Sequence, residues 1–321
     1  MKILITGFTG FVSGHFLDML DTVEPGSSVL GIDKNPPAFD MTSWPGLTIS
    51  FKAVDLLDKK MVEHILTEFQ PEYILHLASV SSVAQSWQTP LESFVNNTNI
   101  FLNLVEQVRV NKIPCRILSV GSSEEYGEVE ESKLPLTEEH TLKPVSPYAV
   151  ARVSQEMLSK IYAEGFNQDI VITRSFNHIG PGQKENFVIS SFAKQLVQLA
   201  RAKAESNTIV TGDLSVIRDF LDVRDVVKAY YLLLKKGKSG EVYNVCSGTG
   251  TALKDIIATM SELLRIQIEV KVDPALIRPN ENRKITGSYQ KIKNSLGWQP
   301  EISLKKSLAD IIDYWKQKLS Q

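Results

Sequence analysis

The 321-residue sequence has two cysteines, no long apolar run, no basic tract and no cluster of metal-ligating side chains. Cys115 and Cys246 sit in separate apolar, strand-like runs. That placement reads as two buried thiols in a reducing compartment, so a cytoplasmic protein is expected. No stretch approaches the roughly 20 apolar residues of a bilayer span. The first strand-like run starts almost at Met1, which leaves no room for a signal peptide. The 35 Lys and Arg and 37 Asp and Glu are dispersed, for a net charge of −2. Nothing therefore suggests a grip on nucleic acid or an anionic membrane surface. His15, His64, His76, His140 and His178 are scattered without ligand spacing, and no metal is expected. There is no internal repeat and no low-complexity tract.

What is present is concentrated at the amino terminus. Ile3, Leu4 and Ile5 form a short apolar strand, and Thr6-Gly7-Phe8-Thr9-Gly10-Phe11 is a glycine turn that opens a helix. Such a turn lets backbone N–H groups approach a pyrophosphate, and the helix N-terminus behind it favours negative charge. A second apolar strand, Val29-Leu30-Gly31-Ile32, closes on Asp33, at the spacing of an acid that binds the adenine ribose. Strand-like runs at 2–6, 28–33, 48–54, 72–77, 115–120 and 169–174 alternate with helical stripes, one of them Met61, Val62, Ile65, Leu66 and Phe69. That alternation predicts a Rossmann-type, doubly wound parallel sheet with helices on both faces. Asp219 to Leu234 reads as a helix and Val242 to Cys246 as a strand returning to the sheet. The expected division is a dinucleotide-binding domain at 1–175 and 213–247, with a smaller C-terminal α/β substrate lobe at 176–212 and 248–321.

Ser146-Pro147 is a helix start with proline in the first turn, and Tyr148 and Arg152 follow four residues apart on one face. Ser122 and Ser123 end an apolar strand. A hydroxyl to bind a carbonyl oxygen, a phenol to donate a proton and a cation to stabilise the phenolate together suit carbonyl reduction. A cation about 4 Å away contributes roughly 4 kcal/mol at an effective dielectric near 20.

These residues resemble, almost end to end, the extended short-chain dehydrogenase/reductases that modify nucleotide sugars. The resemblance implies NAD(P)H held by Gly7, Thr9, Gly10, Phe11, Val12, Asp33 and Lys34. It adds Asp55 and Leu56 at the adenine, Leu77, Ala78 and Ser79 after strand four, and Asn97 in the next helix. Ser122, Tyr148 and Arg152 match its catalytic triplet, with Ser123 and Glu124 beside them. Two positions depart from the family pattern. Ser13 stands where a third glycine is usual, and Arg152 replaces the usual lysine. Arginine keeps the charge but places its donors in a planar fork.

The same resemblance extends to the substrate. Ser81 and Asn177 would face a sugar nucleotide. Asn186, Phe187 and Val188 look like the segment that borders the base in GDP-mannose 4,6-dehydratases and related GDP-sugar reductases. Arg218 and Arg278 would grip the diphosphate, which suits their bidentate fork, and Glu281 would hold a ribose. The expected reaction is reduction of a GDP-4-keto-6-deoxyhexose at carbon 4. The alternatives are a dehydratase, with Glu124 abstracting the proton at carbon 5, a 4-epimerase, or, more distantly, a non-catalytic dinucleotide-binding regulator. Asp33-Lys34 favours the reductase, because the related dehydratases carry arginines there to hold the NADP phosphate. In that family, helices near 91–108 and 147–163 pair across a two-fold axis, which implies a homodimer built on a four-helix bundle.

Overall fold

A computed structural model of the chain describes residues 1–202, 208–277 and 282–320. The amino-terminal half runs β1 (Lys2–Thr6), α1 (Phe11–Val23), β2 (Ser28–Asp33), β3 (Thr48–Ala53), α2 (Lys59–Phe69), β4 (Tyr73–His76), α3 (Val83–Gln88), α4 (Pro90–Phe94), α5 (Ile100–Val110), β5 (Arg116–Ser122), α6 (Pro147–Phe166) and β6 (Asp169–Ser175). Then follow β7 (Asn177–Ile179), α7 (Val188–Ala202), β8 (Thr208–Thr211), β9 (Ile217–Asp222), α8 (Val223–Lys236), β10 (Val242–Val245), β11 (Gly250–Ala252), α9 (Leu253–Leu264), β12 (Glu269–Val272), α10 (Gln290–Leu296) and α11 (Leu304–Lys318).

Seven strands form a parallel sheet in the order β10-β6-β5-β4-β1-β2-β3. The strand order reverses between β1 and β4. The loops leaving the two halves there diverge and open a crevice at the carboxyl edge, where such sheets bind ligands. Both faces are covered, so the central strands are apolar throughout. Ile3 and Ile5 pack under α1 and α8 with Phe16, Leu20, Val227 and Tyr230. Leu4 faces the other way, onto Val62, Ile65, Phe101 and Leu104 of α2 and α5. Each face is the burial expected of a period-2 strand against a 3.6-period helix.

A third hydrophobic cluster joins α7, α9 and α11 through Phe192, Leu196, Ile256, Met260, Ile311 and Trp315. The remaining short strands form two further sheets, β11-β9-β7 and β12-β8.

One local reading of the sequence is corrected. Residues 217–222, partly read as helix, form β9. The Asp219 carboxylate is the cause, because it accepts N–H groups from Ser247 at 2.7 Å, Gly248 at 3.0 Å and Gly287 at 3.2 Å. Those tertiary bonds override the helical periodicity of the flanking residues, and α8 starts only after its cap at Asp222. At the start of α2 the cap is Asp58, whose carboxylate accepts from Met61 N at 3.1 Å.

Candidate active site

The glycine turn touches the loop that leaves β4. Gly7 has φ +69°, and a Cβ there would lie 2.7 Å from the Ala78 amide nitrogen. Glycine is therefore required twice over, by conformation and by space. Leu77 N donates to the Thr6 carbonyl at 3.1 Å and Ala78 N to the Thr6 hydroxyl at 3.2 Å, which fastens the two strand ends together. Gly10 caps α1 with no side-chain hydrogen bond, so first-turn N–H groups stay available to a ligand. The buried Ser79 hydroxyl, in the loop after β4, has no partner among the described residues. An uncapped helix start, a close-packed glycine turn and an orphan hydroxyl fit a dinucleotide diphosphate.

Asp33 closes the turn from the side. One carboxylate oxygen accepts from Thr9 N at 3.1 Å and Thr9 Oγ1 at 2.8 Å, and the other from Lys34 N at 2.7 Å. Lys34 Nζ reaches Asp55 at 3.2 Å and Asn96 at 3.1 Å, so Asp33, Lys34 and Asp55 form one polar rim beside the buried Leu56. Phe11 stacks on His178 with ring centroids 6.2 Å apart, which draws the loop after β7 against the turn, while Val12 is half-buried beside it. Burial pushes the His178 imidazole down to about 4, so the ring is neutral at working pH. Ser13 is fully buried and takes the close-packing position, whereas Gly14 faces open space.

Asn97 is also fully buried. Its side chain accepts from Val80 N at 3.1 Å and donates to Ser93 O at 2.6 Å. It thus holds the 77–81 loop from behind. His76 lies beneath that loop, with Nδ1 2.9 Å from the Thr6 hydroxyl. Burial first, and then the charge of Arg152, push its imidazole down to about 3.

The proposed chemical groups gather at the ends of β5 and α6. Ser146 caps α6 by accepting from Ala149 N at 3.1 Å, and Pro147 fills the first turn, as the sequence predicts. The helix then aims Tyr148 and Arg152 at the sheet, both buried. Arg152 Nε donates to the Tyr148 hydroxyl at 3.2 Å. Arg152 Nη1 donates to the Val120 carbonyl at 3.0 Å and to Gln155 Oε1 at 2.7 Å. Val120 lies two residues before Ser122, so the guanidinium ties the phenol to the strand that carries the serine. Ser122 is buried, and its hydroxyl accepts from Glu124 N at 3.2 Å, with Ser123 buried next to it and Glu124 half-exposed.

Two residues that brace Arg152 and Ser122 escape the sequence reading. Gln155 holds Arg152 and in turn donates to Ser119 Oγ at 2.9 Å. Glu125, within the acidic run Glu124, Glu125, Glu128 and Glu130, is fully buried and accepts from Ser122 N at 2.6 Å. The spacing Ser122-x-x-Glu125 is a capping box, and that signal is present in the sequence.

The candidates expected to meet the substrate lie on separate elements. Ser81 is exposed, Asn177 opens β7 half-buried, and Asn186, Phe187 and Val188 lead into α7. Arg218 lies buried on β9, with Nη1 donating to Ile217 O at 3.0 Å. Arg278 and Glu281 lie outside the described residues. A cavity of about 770 Å³ lined by Glu72, Arg109, Arg116 and Asp169 opens at the opposite, amino edge of the sheet. It meets none of these residues.

The chain matches the model of the family described as GDP-mannose 4,6 dehydratase over residues 4–311. The GDP-6-deoxy-D-mannose reductase of Pseudomonas aeruginosa is 32% identical over 320 residues, covering 100% of this chain and 99% of that protein. The solved structure of RMD from Pseudomonas aeruginosa complexed with NADPH matches with a TM-score of 0.85 at 31% identity, covering 99% of this chain and 100% of that one. UDP-glucose 4-epimerase with UDP-glucose from Thermotoga maritima matches with a TM-score of 0.88 at 29% identity, again covering 99% and 100% of the two chains.

Proposed function

The chain belongs to the GDP-mannose 4,6-dehydratase family, and from that premise we propose that it reduces the 4-keto group of a GDP-4-keto-6-deoxyhexose. The mannose-derived ketone is the favoured substrate, and the product is a GDP-6-deoxyhexose such as GDP-D-rhamnose. The observation that carries this reading is the Tyr148–Arg152 hydrogen bond of 3.2 Å beside the end of the Ser122 strand. The full-length similarity to a GDP-6-deoxy-D-mannose reductase supplies the substrate class.

NAD(P)H, when bound across the glycine turn, supplies the hydride that reaches carbon 4. Everything else is done by the chain's own backbone and side chains. Gly7, Gly10, Phe11 and Val12 present backbone to the diphosphate, and Ala78 and Ser79 wall the crevice. Asp33 and Lys34 meet the adenine ribose, with Asp55 and Leu56 beneath the base. The Ser122 hydroxyl orients the ketone oxygen. The Tyr148 hydroxyl donates its proton to that oxygen as charge develops. Arg152 Nε then stabilises the phenolate left behind. The guanidinium still has Nη2 N–H groups to offer the nicotinamide ribose, the second task of the family lysine. Asn177, Arg218 and Arg278 grip the substrate diphosphate, and Ser81, Asn186, Phe187, Val188 and Glu281 complete the sugar and base contacts.

Glu124 supports a second reading, dehydration of GDP-mannose. It follows Ser122-Ser123 directly and its carboxylate is half-exposed at the site. One experiment separates the two. The protein is incubated with GDP-mannose alone, and separately with the 4-keto-6-deoxy sugar nucleotide and NADPH or NADH. The reductase reading requires turnover only in the second mixture, whereas formation of a keto sugar in the first would establish the dehydratase.

The proposed assembly is a homodimer through α4, α5 and α6. Val150, Met157 and Ile161 are 44%, 41% and 57% exposed, and their spacing places them on one helical face. Leu91, Phe94 and Leu102 extend the same kind of apolar surface on α4 and α5. A patch of this kind marks a protein interface more often than bare surface. Among the described residues no helix is long and apolar enough to cross a membrane. Two free, buried thiols, with Cys115 pushed up to about 12 by burial, suit the cytoplasm.

A further inference from the structure

Directly beneath the Ser122 strand end lies a buried acid pair that the chemistry above does not use. The Glu125 side chain folds back under the strand, where its Oε1 accepts from Ser122 N at 2.6 Å. A Cβ at Gly121 would lie 2.5 Å from that oxygen and 2.5 Å from the Thr173 carbonyl. Only glycine at 121 leaves room for the carboxyl. The other oxygen, Oε2, is buried and faces no hydrogen-bond donor.

Glu156 is the side-chain partner of Glu125, and Glu156 takes the nearby cations. Arg174 donates to it bidentately, Nε and Nη2 each at 2.8 Å, and Lys160 Nζ lies 2.8 Å away. Arg174 is committed further, to the Glu138 carbonyl at 3.1 Å and to the face of Tyr126 at 4.7 Å. The groups around Glu125 are therefore Glu156 and Lys160 from α6, Arg174 from β6, Tyr126 from its own turn, and Glu138 beyond it. Among the described residues no cation bonds to Glu125 itself. A second bare carboxylate here, unpaired and dry, would cost several kcal/mol. A proton on Oε2 removes that cost and turns an orphan acceptor into a donor.

We propose that Glu125 is a positioning residue that works as an un-ionised carboxylic acid, with Oε1 fixing the Ser122 amide and the Oε2 proton donated to Glu156. The hydroxyl that orients the ketone is then anchored, through Glu125, to the Glu156–Arg174 ion pair. Burial and the adjacent Glu156 charge both hold the Glu125 carboxyl well above the usual carboxylate range, in agreement with the geometry. The catalytic consequence rests on the reading of Ser122 as the carbonyl-binding hydroxyl. The protonation state does not.

The test compares the wild-type protein with Glu125→Gln and Glu125→Leu. Glutamine keeps both hydrogen bonds in a neutral group: its carbonyl accepts from Ser122 N and its amide donates to Glu156. Infrared difference spectra of wild type minus Glu125→Gln at neutral pH should show the carbonyl stretch of an un-ionised carboxyl, and no lost carboxylate band. Glu125→Gln should retain turnover within a few-fold. Glu125→Leu should lower kcat by roughly tenfold or more, the effect of one lost hydrogen bond to a positioned group, with NADPH affinity unchanged. A carboxylate band in the difference spectrum overturns the proposal, as does a Glu125→Gln turnover as low as that of Glu125→Leu. If no variant, wild type included, reduces the ketone while the un-ionised carboxyl band is present, the reductase reading fails and the acid assignment stands.

Discussion

Arg152 meets Tyr148 through Nε, at 3.2 Å from the phenol oxygen, because Nη1 is engaged by the Val120 carbonyl and by Gln155. The arginine therefore does not hang from its helix as a free cation. It is braced against the strand that ends in Ser122, so the phenol, the cation and the hydroxyl share one rigid support. Preorganisation of this kind is what an electrostatic contribution to catalysis requires.

Removal of the phenol proton isolates the chemical step. Tyr148→Phe should lower kcat by about 10²–10⁴-fold, while NADPH binding, followed by fluorescence titration, stays within a few-fold of wild type. Near-normal turnover would remove Tyr148 from the mechanism.

The bracing of Arg152 is tested at its partner. Gln155→Leu takes one charge-assisted hydrogen bond from the guanidinium, and kcat should fall by roughly 10-fold or more, with the KM for the sugar nucleotide little changed. Arg152→Lys should keep appreciable activity, because the charge remains, although an ammonium cannot reproduce the fork. Arg152→Ala should not.

The cofactor rim gives a ratio rather than a loss. Asp33 holds the glycine turn through Thr9; if the adenine ribose lies at it, as proposed, its carboxylate disfavours a ribose phosphate, so Asp33→Ala should weaken NADH use and shift the ratio of kcat/KM values towards NADPH. A ratio unchanged from wild type would mean that the ribose does not lie at Asp33.

The Glu125–Glu156 pair makes stability depend on pH in a stated direction. The folded-state pKa of Glu125 is raised. Its contribution is therefore complete below the unfolded carboxylate range near about 4.3 and is lost as pH rises through the folded value. Thermal unfolding should show a steeper loss of Tm on the alkaline side for wild type than for Glu125→Gln.

Val150→Asp places a charge in the apolar face of α6. Sedimentation should show a dimer for wild type at micromolar concentration and a monomer for the variant. A wild-type monomer would contradict the proposed interface.

Much of this was legible in the sequence, for physical reasons. Strand β1 is flanked by a glycine that must take positive φ, and α6 begins at a serine cap followed by proline, so local chemistry alone marked both. What local chemistry could not mark was burial decided by tertiary partners. The run at 124–130 carries four acids, yet Glu125 among them is fully buried, in the space that Gly121 leaves and beside Glu156. Asp219 reads as part of a helix because the three N–H groups it binds come from Ser247, Gly248 and Gly287, far along the chain. Gln155 has no motif. Its role exists only because residue 152 is an arginine with a second donor to place.

Transfer of label from the cofactor to the sugar tests the proposed reaction most directly. The protein is supplied with GDP-4-keto-6-deoxymannose and NADPH or NADH carrying deuterium at carbon 4 of the nicotinamide on the transferred face, and the product is read by mass spectrometry and NMR. Reduction at carbon 4 predicts one deuterium per GDP-6-deoxyhexose formed, located at carbon 4 of the hexose, with equal consumption of the reduced cofactor. An unlabelled product, a deuterium elsewhere in the ring, or no cofactor consumption would contradict it.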